Sequence, residues 1–171
     1  MVAHVENMKA LDLKALDYVS IWFGTNDFTS KVALDNPEDL YDITTFGGAL
    51  RYSLDKLFSA NPDLKIMLIT PMYRDRQSKT SDDPLITDGK NSDDYPNGAG
   101  VYLTEYGDKI KEIAAGYGQN GKVLDMYEKS GINRYNHQKY FYDGLHPSSS
   151  TGSIGNRLLG SKFSDFIVRN F

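Results

Sequence analysis

Two short motifs near opposite ends of the chain carry the side chains best suited to chemistry. The first, Gly24-Thr25-Asn26-Asp27, follows a run of β-branched and aromatic residues. An asparagine at the end of a strand can donate its side-chain NH2 to an oxyanion, and one such donor stabilises a transition state by about 3–4 kcal/mol. The glycine permits a tight turn, and Asp27 can accept hydrogen bonds from the amides of that turn. Taken alone, the motif fits an ordinary strand-to-loop turn better than an oxyanion site.

The second motif, Asp143-Gly144-Leu145-His146-Pro147, precedes the last helical pattern of the chain. An aspartate three residues before a histidine, with a glycine between them, can accept a hydrogen bond from the imidazole Nδ1–H and leave Nε2 free to act as a base. Taken alone, this motif also describes a loop histidine beside a helix-capping aspartate. His4 and His137 lack such a context, and we assign both to the surface or to ordinary packing.

Alternating helical and strand patterns indicate how these motifs are positioned. Strand patterns cover 17–23, 65–70 and 122–125, and the main helical patterns cover 45–60, 103–117 and 154–171. Strands separated by helices form a parallel sheet with helices on both faces, so the fold class is α/β. Ligands bind such folds beyond the carboxyl ends of the strands, which here means just after Phe23, Thr70 and Asp125.

Two stretches between these elements stay open to more than one interpretation. The polar segment from Tyr73 to Gly100 is long enough to be a lid or a substrate-facing insertion, and it also fits a mobile loop. The tyrosine-rich run from Tyr135 to Tyr142 either exposes aromatic rings at the rim of a site or packs locally over the last helix.

Composition limits the class of protein. The 171 residues suit a single domain over 1–171, and the net charge of −4 disfavours a nucleic-acid-binding protein. No apolar run approaches the length of a membrane span. The absence of cysteine excludes disulfides and thiol catalysis. The first residues lack the basic start and the apolar stretch of a signal peptide. The sequence is compatible with a cytoplasmic protein and with an exported one, because exported proteins can also lack cysteine.

Together the two motifs match by chance in roughly one of a few thousand sequences of average composition. With the two motifs in this order along the chain, the sequence resembles the SGNH, or GDSL-type, serine hydrolases, which include esterases, lipases and acetylhydrolases. Gly24–Asp27 matches the Gly-x-Asn-Asp block of that family, and Asp143–Pro147 matches its Asp-x-x-His-Pro block. The resemblance implies a flavodoxin-like three-layer α/β/α sandwich with a parallel sheet. It also implies Asn26 as an oxyanion donor, His146 as the general base and Asp143 as its orienting carboxylate, with no metal or organic cofactor.

The sequence departs from the family at the nucleophile. No Gly-Asp-Ser block is present, and no glycine precedes Gly24. We therefore expect the domain to be incomplete at its N terminus, with the nucleophilic serine outside this chain. We also expect the chain as given to be inactive without that serine block. Ser148, Ser149, Ser150, Ser153 and Ser161 are more consistent with helix capping and surface turns than with a nucleophile. A missing strand would also leave a bare sheet edge, through which the chain could form a homo-oligomer.

Three functions follow as hypotheses. The first is an ester hydrolase that forms an acyl-enzyme and acts on a small ester such as an acylated carbohydrate or lipid. The second is a non-catalytic fragment or module that binds a glycan, a lipid or a partner protein in the same crevice. The third is a flavodoxin-like nucleotide or phosphate binder, but the chain has no Gly-rich phosphate loop.

Overall fold

A three-stranded parallel sheet forms the centre of the molecule. The computed structural model describes residues 1–7, 12–75, 92–147 and 154–171. The strands are β1 (Tyr18–Trp22), β2 (Lys65–Ile69) and β3 (Gly121–Leu124), in the spatial order β1-β2-β3. The register pairs Tyr18 with Lys65 and Ile66 with Gly121. All three predicted strands are confirmed, each to within about a residue at either end.

The described residues form seven α-helices in addition to this sheet. They are α1 (Val2–Asn7), α2 (Thr25–Thr29), α3 (Phe46–Ala60), α4 (Leu103–Ala115), α5 (Met126–Lys129), α6 (His137–Tyr140) and α7 (Ile154–Asn170), with a 3-10 turn at Leu13–Ala15. The three long predicted helices are confirmed. The short helices α2, α5 and α6 were expected to be turns or irregular chain. Within the polar segment from Tyr73 to Gly100, residues 76–91 lie outside the described ranges.

Side chains alternate between the two faces of the sheet, and each face is covered by its own helices. Ile66 and Leu68 of β2 join a buried cluster with side chains of α3 and α4. Met67 and Ile69 of β2 point the other way, into a second cluster with side chains of α7. Because β2 is buried on both faces, its sequence is a continuous apolar run rather than an alternating one. The result is the predicted three-layer α/β/α sandwich.

The strand β1 forms one edge of the sheet. Its side chains Tyr18 and Trp22 keep 46% and 37% of their surface exposed, although Tyr18 contacts Phe171 and Trp22 contacts Phe163 of α7. Oligomerisation through this edge stays a prediction. No described helix has the length and apolar character needed to cross a membrane.

Candidate active site

The first motif leaves the carboxyl end of β1 through a turn that requires glycine. Gly24 has φ = +114°, and a Cβ atom at this position would lie 2.6 Å from Cγ of Pro71. The Gly24 N–H donates to Oδ2 of Asp27 at 3.0 Å, and the Phe28 N–H donates to the Gly24 carbonyl at 2.8 Å. These contacts close the first turn of α2, so Asn26 stands on a short helix rather than on a loose loop.

The side chain of Asn26 is exposed and lines a cleft at this edge of the sheet. Within the described ranges, no group forms a hydrogen bond with its amide. An amide NH2 that the protein leaves unpaired, on a backbone that hydrogen bonds hold in place, can donate to an oxygen that develops negative charge.

The second motif brings a carboxylate and an imidazole together within one turn. Nδ1 of His146 lies 2.7 Å from Oδ2 of Asp143, while Oδ1 of Asp143 accepts from the backbone N–H groups of Leu145 (3.0 Å) and His146 (2.7 Å). Gly144, with φ = +79°, supplies the left-handed residue of the turn. The predicted Asp143–His146 hydrogen bond is therefore present, and Nε2 of His146 has no hydrogen-bond partner among the residues that the structure describes.

The electrostatics of this turn favour an ionised carboxylate. Burial alone would raise the pKa of Asp143, but hydrogen bonds from the backbone and imidazole of His146 and from the Leu145 backbone hold that pKa below its ordinary value. An ionised carboxylate accepts the Nδ1 proton and stabilises an imidazolium once Nε2 has taken up a proton. The pair can thus receive a proton from a hydroxyl group brought to Nε2.

Further contacts hold the loop that carries His146. Phe141 and Pro147 form an antiparallel bridge, and the Tyr142 N–H donates to the His146 carbonyl at 3.1 Å. The Tyr142 ring stacks on the imidazole, with centroids 5.8 Å apart and an angle of 20° between the planes. Within the tyrosine-rich run, Phe141 is buried, as local packing predicts, while Tyr135 and Tyr142 are exposed. A platform of aromatic rings at the rim of the site stays a prediction.

Both motifs line the same cleft, which has a volume of about 280 Å3. Its walls come from the ends of β1 and β2 and from the His146 loop: Trp22, Phe23, Gly24, Thr25, Asn26, Asp27, Met72, Tyr73, Leu145, His146 and Pro147. The third predicted position, just after β3, does not contribute a side chain to the walls of this cleft. Asp125 there pairs with Lys111 at 2.7 Å and accepts from the Thr70 hydroxyl at 3.0 Å, away from the cleft.

The sequence as a whole matches a family model over most of its length. The model of the GDSL-like lipase/acylhydrolase family matches residues 2–151. The chain belongs to this family. Membership supports a hydrolase function for the protein. No curated protein of the comparison set matches the sequence.

Solved structures with the same hydrolase fold cover nearly the whole chain. A Lactobacillus plantarum protein superposes with a TM-score of 0.74 at 24% identity, over 98% of this chain and 73% of its own. A possible lipase from Chitinophaga pinensis DSM 2588 superposes with a TM-score of 0.68 at 24% identity, over 98% of this chain and 78% of its own. A GDSL-like lipase from Bacteroides thetaiotaomicron VPI-5482 superposes with a TM-score of 0.52 at 20% identity, over 91% of this chain and 63% of its own. At these identities the likeness shows the fold.

One residue that sequence reasoning missed supports the Asn26 helix of this hydrolase fold. Arg74 follows β2 and is 6% exposed. Its guanidinium donates to the Thr25 carbonyl at 3.0 Å and to the Thr29 hydroxyl at 2.8 Å, and it lies over the Phe28 ring. An arginine just after a strand is not distinctive in a sequence, because its partners are almost 50 residues away.

His137 takes one of the two positions that the sequence analysis left open. Its exposure is 4%, so it is packed in the interior and does not lie at the surface. It is also paired, since its Nε2 lies 3.3 Å from Oδ2 of Asp75. His4 belongs to α1, and its side chain lies outside the described part of the structure.

No serine is among the described residues that line the cleft. Ser148, Ser149, Ser150 and Ser153 lie outside the described ranges, and Ser161 donates to the Leu158 carbonyl within α7. The described residues also contain no group of three or more histidine, aspartate or glutamate side chains that could hold a metal ion.

Proposed function

We propose that the protein is an ester hydrolase of the acyl-enzyme type, in which His146 is the general base, Asp143 orients it and Asn26 binds the oxyanion. The observation that carries this proposal is that one cleft receives both an unpaired amide and an imidazole whose Nδ1 is held by a carboxylate. These are the donor and the base that acyl transfer through a serine requires.

In the proposed mechanism a serine hydroxyl from outside the described residues attacks the ester carbonyl. Nε2 of His146 takes the hydroxyl proton, and Asp143 stabilises the imidazolium that forms. The carbonyl oxygen becomes an oxyanion and accepts a hydrogen bond from the Asn26 amide. His146 then returns the proton to the departing alcohol, which leaves an acyl-serine. Water hydrolyses that ester in a second round of the same proton transfers.

The dimensions of the cleft favour a small acyl group. A volume of about 280 Å3 lies at the lower limit of pockets for drug-sized ligands, about 300–1,000 Å3. Trp22 and Met72 offer apolar and aromatic surface, which suits an acyl chain or the face of a sugar ring. We therefore propose a short-chain ester of a carbohydrate or a lipid as the substrate.

Hydrolysis of p-nitrophenyl acetate by the complete gene product, which must supply the serine, tests the proposal. The rate of the His146→Ala variant should fall about 10³-fold or more, since loss of a base of this type abolishes proton transfer. A rate equal to that of the wild-type protein would contradict the mechanism. Gln138→Ala is the matched control, because Gln138 is an exposed side chain that does not line the cleft.

A non-catalytic binding module is the second candidate. It is favoured by the lack of a serine among the described cleft residues. A fluorophosphonate probe applied to the complete gene product distinguishes the two candidates, because covalent labelling that depends on His146 requires an activated serine. Absence of labelling, together with binding of an acylated sugar that Asn26→Ala weakens, would favour the binding module.

A further inference from the structure

A second histidine–aspartate pair lies behind the cleft, and neither member lines it. Nε2 of His137, on α6, is 3.3 Å from Oδ2 of Asp75, in the segment after β2. The side chains are only 5% and 13% exposed. The distance suits an ion pair when the imidazole is protonated.

The pair is connected to the His146 loop from two directions. The backbone N–H of Asp75 donates to the Gly144 carbonyl at 2.9 Å, in the middle of the Asp143–His146 turn. The Phe141 N–H donates to the His137 carbonyl at 2.8 Å, and Phe141 forms the bridge with Pro147 that closes the loop. Movement of either partner is therefore transmitted to the turn in which Asp143 holds His146.

Packing alone does not account for polar groups at this position. Tyr73 Oη, Asp75 Oδ1 and His137 Nδ1 are buried and have no hydrogen-bond partner among the residues that the structure describes. Unpaired buried polar atoms are unfavourable, and apolar residues of similar volume would avoid that penalty. The Tyr73 ring contacts His137, with centroids 5.6 Å apart, and Tyr73 itself lines the cleft.

We propose that His137 and Asp75 are positioning residues for His146. The pair holds the segment after β2 against α6, and the Asp75 N–H then fixes Gly144. With Gly144 fixed, the Asp143 carboxylate keeps its three hydrogen bonds, and the imidazole keeps its proton on Nδ1. The inference rests on the proposed function in one respect, namely that His146 is the base.

Nitrogen-15 NMR of the His146 imidazole tests this inference in the chain as it is, without any need for turnover. The wild-type ring should show the Nδ1–H tautomer. His137→Phe keeps a ring against Tyr73 but removes the partner of Asp75. We expect that variant to populate both tautomers and to increase hydrogen exchange of the Leu145 and His146 amides about tenfold.

Two further variants separate positioning from simple stability. His137→Gln retains an N–H donor near the position of Nε2, and it should restore the wild-type tautomer and exchange rates. Asp75→Leu, which is similar in volume but has no acceptor for Nε2 of His137, should shift the tautomer as His137→Phe does, and it provides the test if His137→Phe does not fold. Gln138→Ala, an exposed change on the same helix, should alter neither quantity.

The inference is overturned if His137→Phe or Asp75→Leu folds and leaves the His146 tautomer and both amide exchange rates at wild-type values. A lower melting temperature with an unchanged tautomer also overturns it, because that result indicates a structural role alone. The proposed function is judged separately, by the effect of His146→Ala on ester hydrolysis, so either proposal can fail while the other stands.

Discussion

Replacement of Asp143 by asparagine should reverse the tautomer of His146 without removing the turn. Oδ1 of Asp143 accepts two backbone N–H groups, while Oδ2 faces the imidazole. An asparagine must keep its oxygen toward the two backbone donors, since its NH2 group cannot accept from them. Its NH2 group then faces Nδ1 of His146, which has to become an acceptor. The ring proton therefore moves to Nε2, where a base needs a free lone pair.

The size of this effect follows from the two hydrogen bonds involved. The carboxylate favours the Nδ1–H form by about 1.5–3 kcal/mol, and the asparagine donor favours the opposite form by about 0.5–1.5 kcal/mol. His146 is 55% exposed and Asp143 is 24% exposed, so solvent screening places the sum near the lower end, about 2–3 kcal/mol. That free energy corresponds to a change of roughly 30–150-fold in the tautomer ratio.

Two assays measure the consequence. The nitrogen-15 shifts of His146 report the tautomer directly, and the rate of p-nitrophenyl acetate hydrolysis by the complete gene product should fall about 10²-fold. Asp108→Asn is the control, because Asp108 is an exposed carboxylate outside the His146 turn. If Asp143→Asn keeps the Nδ1–H tautomer, or if hydrolysis stays at the wild-type rate, the assigned role of Asp143 is wrong.

Three further changes test other parts of the structure. Asn26→Ala should lower kcat about 10²–10³-fold with little change in KM, and a change confined to KM would contradict the oxyanion role. Gly24→Ala should lower the free energy of unfolding in urea by more than Gly100→Ala does, because both glycines have positive φ but only Gly24 also meets Pro71; equal losses would exclude the clash. Burial alone would raise the pKa of Asp35, but hydrogen bonds from Arg51 and Lys109 hold that pKa below its ordinary value. Its contribution to stability is therefore full above the unfolded pKa of about 3.9 and is lost as the pH falls through the folded value. The difference in unfolding free energy between wild type and Asp35→Asn should shrink below about pH 4, and a constant difference across that range would contradict the assignment.

Short-range features of the site could be predicted from the sequence because their causes are local. The hydrogen bond from His146 to Asp143 spans three residues, and the contact between Gly24 and Asp27 spans the same distance. Residue type and the glycine turn are enough to form either contact. The strands and long helices were predictable for a similar reason, since the apolar pattern of each matches the period of the element it forms.

The short helices and the supporting residues could not be predicted in this way. Helices of four or five residues, such as α2 and α6, are too short to show a periodic pattern. The partners of Arg74 lie 45 and 49 residues away in the sequence, and His137 meets Asp75 only when α6 lies beside the segment that follows β2. In the sequence, His137 is a single histidine in a tyrosine-rich segment.

The sequence by itself determined the strands, the long helices, their order and the two local motifs, because these depend on neighbours within about one helical turn. The tertiary structure decided that Asn26 and His146 share one cleft, that Trp22 and Met72 form its walls, and that His137 is buried. These properties depend on parallel pairing of β1 with β2 and on the chain crossing over the sheet. Such pairing joins residues far apart in the chain, and its free energy comes from packing that no short segment contains.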